Sequence, residues 1–353
     1  MTSRMLRLAA AGAIVCVGSA KAQWALQRSN TEAEFRGLFV VNPTVVWASG
    51  TAGRIARTTD GGETWRIDSI PGADSLDLRD IDARSAKEAV AMSAGEAERG
   101  LAKMFRTTDG RSWKNVFETT EKGVFLDALS FWDALHGIAM GDPIDGQLFI
   151  LVTDDGGASW KRVPMDDAPP MTRAEAAFAA SGTCLAIQGT SNVWIGTGGG
   201  VRARVFRSTD RGRTWKVADT PLHAANPASG IFSIAFTDAM HGVAVGGEYT
   251  SPRAPFDNVA LTSDGGKTWR LASGELPRGY MSGVAYIPGT HGRSLVAVGL
   301  AGTATSADGG ESWSMVDTLG FNSVAFASPS AGWAVGPRGR IAKWTPGKPP
   351  DQP

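Results

Sequence analysis

The sequence predicts an all-β protein that is assembled from a repeated four-stranded unit, and three observations support this prediction. A turn that contains an aspartate and ends in a tryptophan returns six times along the chain. A short apolar strand that ends at or near a glycine returns seven times. Glycine makes up 44 of the 353 residues, and this excess over an ordinary share of about 7% favours many tight turns between short strands.

The aspartate-containing turn first occurs at residues 59–65 as TDGGETW, and the copy at residues 108–113 is one residue shorter. The tryptophans of successive copies lie 44 to 55 residues apart. The pattern has the form of the Asp-box, S/T-x-D-x-G-x-T/S-W, and we call the six segments the box turns. Their aspartates and tryptophans are Asp60, Trp65, Asp109, Trp113, Asp155, Trp160, Asp210, Trp215, Asp264, Trp269, Asp308 and Trp313.

The box turns are predicted to be structural. A carboxylate can accept hydrogen bonds from the backbone amides of its own turn, and the glycines permit positive φ. The tryptophan is then expected to pack into a neighbouring layer. Equivalent carboxylates in six separate repeats cannot converge on one site, so we predict neither a metal ion nor a catalytic residue among them.

A second repeated element precedes each box turn and accounts for the blade architecture. Its seven copies lie at residues 45–50, 89–93, 137–141, 192–196, 242–246, 295–299 and 332–336. Each copy reads as a strand, with an inner strand before it and another strand after it. Four strands in about 47 residues match the size of a propeller blade. The sequence therefore predicts a seven-bladed β-propeller of four-stranded antiparallel blades.

The seventh unit lacks a box turn, and the N-terminal part of the chain supplies the missing strand. Residues 23–27 read QWALQ and resemble residues 64–68, TWRID, at the end of the first box turn. We expect residues 23–27 to pair as the outer strand of the last blade, which closes the ring and covers an exposed sheet edge. The predicted propeller domain is 23–345, and most of the twelve tryptophans become packing anchors in it.

Both ends of the chain are predicted to lie outside this domain. Residues 1–22 have the basic start, the short apolar run and the small-residue cleavage site of a secretory signal peptide. Residues 346–353 form a Pro-rich tail that we expect to be disordered. The protein is therefore expected to be exported to the periplasm or the extracellular space, or to the lumen in a photosynthetic source, with no membrane span after cleavage.

Charge and cysteine content narrow the functional classes. The chain carries 35 basic and 35 acidic residues, and cleavage after Ala22 leaves 32 against 35, a net charge of −3. This balance argues against nucleic acid as a partner. Cys184 is the one cysteine left after cleavage, and it is predicted to be a small core residue.

The box turns and the GWAVG strand at residues 332–336 resemble those of the photosystem II stability/assembly factor family of exported propellers. The likeness covers residues 23–344. It implies a non-enzymatic assembly or maturation factor, which binds a membrane protein or its exported segment. We expect a monomer without a cofactor. Members of this family also occur in bacteria that do not photosynthesise.

Asp-boxes also occur in two classes of glycoside hydrolase, which form the alternative function. A sialidase needs an arginine triad and a tyrosine nucleophile, but residues 35–38 read FRGL instead of beginning Arg-Ile-Pro, and the chain has three tyrosines. Xyloglucanase-like enzymes pair two such propellers, and this chain has the length of one. A quinone-dependent oxidoreductase is a third, weaker possibility. Binding or scaffolding is therefore the leading prediction, with no catalytic residue nominated.

Any binding site is expected on the face that carries the loops between strands two and three and between blades. Arginine recurs in these loops, and such a face can capture carboxylates or an acidic peptide. The alternative is that these arginines are simply solvated. The candidate binding set is Arg36, Arg79, Arg173, Arg204, Tyr249, Arg253, Tyr280, Arg338 and Arg340. His136, His241 and His291 occupy one equivalent turn in three blades, so they are predicted to be turn residues rather than metal ligands.

Overall fold

A computed structural model describes residues 23–346. The predicted signal peptide and residues 347–353 of the predicted tail lie outside the described residues. Residues 23–346 form seven antiparallel sheets of four strands, with one short 3₁₀ turn at Ala97–Arg99. The sheets pack side by side in chain order, and the last contacts the first. This is the predicted seven-bladed β-propeller.

The strands are numbered in chain order, and each blade runs from its inner to its outer strand. The N-terminal strand is β1, Gln23–Gln27. Blade one is β2 Phe35–Val40, β3 Val46–Gly50, β4 Arg54–Thr58 and β5 Arg66–Ser69. Blade two is β6 Asp77–Ala83, β7 Ala89–Ala94, β8 Lys103–Thr107 and β9 Lys114–Glu118. Blade three is β10 Leu126–Phe131, β11 Gly137–Ile144, β12 Gln147–Thr153 and β13 Lys161–Arg162.

The remaining blades follow the same order. Blade four is β14 Leu185–Gln188, β15 Asn192–Gly196, β16 Ala203–Ser208 and β17 Lys216–Thr220. Blade five is β18 Ser229–Phe236, β19 Gly242–Glu248, β20 Val259–Thr262 and β21 Arg270–Leu271. Blade six is β22 Gly283–Tyr286, β23 Leu295–Gly299, β24 Gly302–Ser306 and β25 Ser314–Asp317. Blade seven is β26 Ser323–Ser328, β27 Ala331–Val335, β28 Ile341–Thr345 and then β1.

The N-terminal strand closes the ring as predicted. Strand β1 pairs antiparallel with β28, and Trp24 lies opposite Trp344. The Trp24 indole packs against blade six and donates a hydrogen bond to the Thr303 hydroxyl at 2.9 Å. The Gln27 side-chain oxygen accepts hydrogen bonds from the indoles of Trp65 in blade one and Trp333 in blade seven. One strand thus fastens the last blade to both of its neighbours.

Seven apolar clusters fill the spaces between adjacent blades of the described chain, and each holds one repeated tryptophan. The tryptophan of one blade packs against the blade before it: Trp215 of blade four, for example, joins Ile138 and Ile150 of blade three. Trp24 takes this place in blade seven. The repeated tryptophans therefore lie in the apolar layers between blades.

The box turns hold themselves together by local hydrogen bonds. In the first copy, the Asp60 carboxylate accepts bonds from the Thr64 amide at 2.9 Å, the Thr64 hydroxyl at 2.5 Å and the Thr58 hydroxyl at 2.7 Å. These bonds keep the pKa of Asp60 well below its usual range. Gly61 and Gly62 have φ of 74° and 88°, a region that other residues adopt only with strain.

Two further features bear on function. Cys184 is fully buried among the apolar residues between blades three and four, and burial raises the pKa of its thiol, with a contribution from nearby Asp127 and Asp80. No helix within residues 23–346 has the length and apolar character needed to cross a membrane.

Candidate binding site at the mouth of the central channel

The face that carries the loops between blades has a cavity of about 480 Å³ at its centre. Inner strands or the loops beside them from six of the seven blades contribute to its walls, together with the connection that precedes blade four. We call this space the mouth cavity. Its charged wall residues are Glu34, Arg36, Arg79, Asp127 and Asp142.

A β-bulge at one equivalent position of the inner strands aims side chains into the mouth cavity. The pairing register between the first two strands of a blade shifts around Arg36 in blade one and around Arg79 in blade two. The same shift occurs around Asp127 in blade three and Phe232 in blade five. A bulge adds one unpaired residue to a strand, and the side chain of that residue points in a different direction from those of the paired residues. The residue before each bulge is fully buried, so the strand stays anchored while the bulged residue lines the cavity.

The connection between blades three and four crosses this mouth. Its residues 177–180, which we call the crossing segment, accept hydrogen bonds from two arginines. Arg36 donates to the Ala180 carbonyl at 3.2 Å, and Arg79 donates to the Ala179 carbonyl at 3.1 Å. The Phe178 ring of the crossing segment stacks on Phe232, with 3.9 Å between ring centroids. The mouth thus holds a stretch of peptide backbone that belongs to its own chain.

Both mouth arginines are already paired with an acid two residues earlier. Arg36 contacts Glu34 at 2.6 Å, and Arg79 contacts Asp77 at 2.7 Å. All four side chains are partly buried, which weakens screening by solvent relative to a surface pair. The positive charge that the sequence placed on this face is therefore largely neutralised at the mouth.

Two further carboxyls face the mouth cavity without a cation of their own. Asp127 is 1% exposed, and its Oδ2 has no hydrogen-bond partner among the described residues. The Oδ1 of Asp142 is equally buried and unpartnered within the described chain. Burial raises the pKa of Asp142 to about 6. Burial and the nearby Asp142 raise the pKa of Asp127 well above its usual range, against the pull of Arg79.

Aromatic rings complete the cavity wall. The Phe232 ring contacts Phe178, Tyr280 and Tyr249, with centroid distances of 3.9, 4.6 and 6.1 Å. Burial raises the pKa of the Tyr280 hydroxyl, whereas Tyr249 is 50% exposed at the rim. The exposed Leu300 also lines the cavity. The mouth therefore combines charged groups with an apolar, aromatic side.

The candidate binding set separates in space. Arg36, Arg79, Tyr249 and Tyr280 meet at the mouth cavity. Arg204 is buried. Its guanidinium donates hydrogen bonds of 2.9 and 3.1 Å to the carboxylate of Glu175, which lies in the connection before blade four. Its role in the structure is an internal ion pair.

The other four members of the set do not line the mouth cavity. Arg173 and Arg253 are exposed on loops and do not line the mouth cavity. Arg338 and Arg340 line a separate cleft of about 580 Å³ beside residues 26–32 in blade seven. The Arg340 guanidinium there donates to the Gly320 carbonyl.

Sequence reasoning placed Asp142 in a loop of the binding face but missed Asp127, Phe178 and Phe232. One signal was available for two of them: the inner strands show an apolar residue followed by the bulged position, as in Leu126-Asp127 and Ile231-Phe232. Aligning the blades at this position identifies the mouth residues of blades three and five. The place of Phe178 depends on the path of a long connection and leaves no local pattern.

Comparison with known proteins bears on the fold. No protein-family model matches the sequence, and no curated protein matches it. Among solved structures, YCF48 bound to a D1 peptide has a TM-score of 0.65 at 16% identity, over 95% of this chain and 100% of that one. YCF48 from Cyanidioschyzon merolae has a TM-score of 0.63 at 17% identity, over 91% and 98% of the two chains.

The GH74 xyloglucanase from Xanthomonas campestris has a TM-score of 0.59 at 16% identity, over 91% of this chain and 53% of the enzyme. The chain thus spans about half the length of that enzyme. At these identities the similarity concerns the fold. The resemblance to photosystem II assembly factors that the sequence suggested is confirmed at this level: residues 23–346 share the propeller fold of YCF48.

Proposed function

We propose that the protein is a non-enzymatic scaffold that binds an extended segment of a partner protein at the mouth cavity, as an assembly or maturation factor does. The observation that carries this proposal is the convergence of four bulged side chains from different blades on one cavity. The YCF48 structure with a bound D1 peptide supports it, because that propeller of similar fold takes a peptide.

The chemistry of the mouth suits a peptide. Arg36 and Arg79 already donate hydrogen bonds to backbone carbonyls of the crossing segment. Tyr249 and Leu300 add exposed apolar surface at the rim. A cavity of about 480 Å³ falls within the ordinary range of ligand sites, about 300 to 1,000 Å³, and accommodates a few residues rather than a folded domain.

The partner and the location are parts of the same proposal. The pattern of residues 1–22 supports export to the periplasm or the extracellular space. A membrane protein, or a segment of one on the exported side, is the partner that the family resemblance implies. Fractionation of cells that express the chain with and without residues 1–22 tests export directly.

Photo-crosslinking tests the binding site. A photoreactive phenylalanine analogue replaces Leu300, which is 40% exposed at the mouth. The matched control carries the analogue in place of Met240, which is 45% exposed on the face of the box turns. We expect one discrete partner adduct from position 300 that is mapped to a short segment of the partner. Equal adducts from both positions, or none from position 300, contradict the proposal.

Glycoside hydrolysis is the alternative function, and one observation favours it. Asp127 and Asp142 form a carboxyl pair in the mouth cavity with raised pKa values, and such pairs supply the acid and base of many glycosidases. Release of reducing sugar from xyloglucan by the wild-type protein, abolished in Asp127→Asn, establishes this alternative. The absence of release alongside a mapped crosslink from position 300 supports the scaffold.

A further inference from the structure

We infer that the mouth cavity receives a basic side chain of the partner segment, a lysine ammonium or an arginine guanidinium, between the carboxyls of Asp127 and Asp142. This inference rests on the proposed function and deepens it. It assigns to the mouth the opposite chemistry from the carboxylate capture that loop arginines suggested.

The charge balance of the mouth points to a cation. Arg36 and Arg79 each have a carboxylate partner within 2.7 Å, and each also donates to a carbonyl of the crossing segment. Asp127 and Asp142 line the same cavity and form no ion pair with a described residue. One cationic group from a ligand balances the charge of this pair once it is ionised.

The hydrogen-bonding capacity points the same way. The Oδ2 of Asp127 and the Oδ1 of Asp142 are buried acceptors without partners among residues 23–346. A buried acceptor that is left unpaired costs roughly 1 to 3 kcal/mol. A lysine ammonium has three donors and an arginine guanidinium has five, so either group can satisfy both oxygens at once.

The aromatic wall selects an organic cation over a metal ion. Phe178, Phe232, Tyr249 and Tyr280 lie beside the carboxyl pair in the same cavity. Aromatic faces attract ammonium and guanidinium groups and pack against the aliphatic stem of the side chain. A calcium ion takes six to eight oxygen ligands. Within the described chain no group of three or more acidic, histidine or cysteine side chains is placed to hold a metal.

Protonation of the pair makes this binding depend on pH. Asp127 faces Arg79 from blade two and Asp142 from its own blade, and it lies near Cys184 at the start of blade four. Burial holds the pKa of Asp142 at about 6 and that of Asp127 higher than usual. A bound cation favours the ionised pair, so binding releases a proton to solvent. Affinity is therefore lost as the pH falls below about 6.

Capped heptapeptide pools that differ only at the central residue test the inference. The central residue is lysine, norleucine or glutamate, and binding is measured by fluorescence anisotropy at pH 7.5 and pH 5. We expect the wild-type protein to prefer the lysine pool over the norleucine pool by about tenfold at the higher pH. The preference should shrink at pH 5. Calorimetry in two buffers of different ionisation enthalpy should report proton release.

Variants locate the preference. Asp127→Asn and Asp142→Asn keep the shape of each side chain and remove its charge, so both should abolish the lysine preference. The matched control is Asp145→Asn in the exposed turn of the same blade, which should retain it. Thermal unfolding checks that each variant is folded, and the pool and pH comparisons on the wild-type protein need no variant.

Each contrary result overturns a defined part of the inference. Equal binding of the lysine and norleucine pools refutes the inference, as does a lysine preference that survives in both asparagine variants. Calcium binding that these variants abolish refutes the choice of an organic cation. Butylammonium that binds as tightly as the lysine pool refutes a partner segment as the source. If the norleucine or glutamate pool binds and crosslinks to position 300, the proposed scaffold function is supported and this inference alone fails. If no pool binds and position 300 gives no adduct, the proposed function and this inference both fail.

Discussion

The two faces of the ring are built from the same repeat, but the repeat governs them differently. On the face of the box turns, each aspartate is bonded within its own turn, as Asp264 is to the Thr268 amide and hydroxyl. On the mouth face, one bulged position carries Arg36, Arg79, Asp127 and Phe232 in four different blades. One face repeats its chemistry, and the other changes it from blade to blade.

This contrast teaches where a propeller can vary. A box turn needs its aspartate, its glycines and its tryptophan together, because the hydrogen bonds and the packing anchor are local to each copy. The bulged side chain points into a cavity and takes no part in the sheet register, so its identity is free. Function is therefore expected where the repeat is least uniform.

The largest expected effect comes from opening the ring. A chain that begins at Arg28 lacks β1, and with it the Trp24 packing on blade six and the bonds of Gln27 to Trp65 of blade one and to Trp333 of blade seven. We expect it to be unfolded or aggregated in size-exclusion chromatography. Trp24→Ala alone should cost about 3 to 5 kcal/mol in denaturant unfolding. Leu26→Ala on the same strand, 62% exposed, should cost less than about 0.5 kcal/mol; equal losses would contradict the closure.

The next expected effect is the pH dependence of the free energy of unfolding, to which two sets of aspartates contribute with opposite signs. Burial raises the pKa of Asp80 to about 8 and that of Asp82 to about 7. The folded protein therefore binds more protons than the unfolded chain between about pH 4 and pH 8, and stability falls as the pH rises through this range.

The box turns behave in the opposite way. Burial opposes the shift, but hydrogen bonds from Thr268 and Thr262 lower the pKa of Asp264 to about 2. Its contribution to stability is present above about pH 4 and is lost as the pH falls towards 2. We expect maximal stability near pH 4 to 5, and a shallower decline from pH 5 to pH 8 in Asp80→Asn, measured by urea unfolding. An unchanged slope in Asp80→Asn would show that Asp80 does not set it.

The smallest expected effects on stability come from one substitution on each face of the ring. Asp264→Ala removes the hydrogen bonds that close its turn and should cost about 1 to 3 kcal/mol without changing peptide binding. Tyr249→Ala at the rim of the mouth should cost less than about 0.5 kcal/mol and weaken peptide binding. Thermal unfolding and fluorescence anisotropy on both variants check this, and the reverse pattern would place binding on the box face.

Much of the fold was predictable because its determinants are local and repeated. The box turns and the second strands follow from patterns within about 50 residues. The pairing of residues 23–27 in the last blade follows from the missing strand of the seventh unit. The candidate site was less accessible. Four members of the candidate binding set meet at the mouth, whereas Arg204 forms an internal ion pair with Glu175. That pair joins a strand to a distant part of the long connection before it, which spacing alone does not reveal.

The sequence by itself determined the ring, its seven blades and the place of each repeated tryptophan, because every blade repeats the same short-range hydrogen bonds and the same apolar pattern. Only the tertiary structure decided which side chains share the mouth. Asp127 lies in β10, Tyr280 in the approach to β22 and Phe178 in a connection between blades, and they become neighbours when the ring closes. Long-range placement requires the bulges and the crossing segment. The bulges repeat at one position of the inner strands, whereas the path of the crossing segment leaves no periodic trace in the chain.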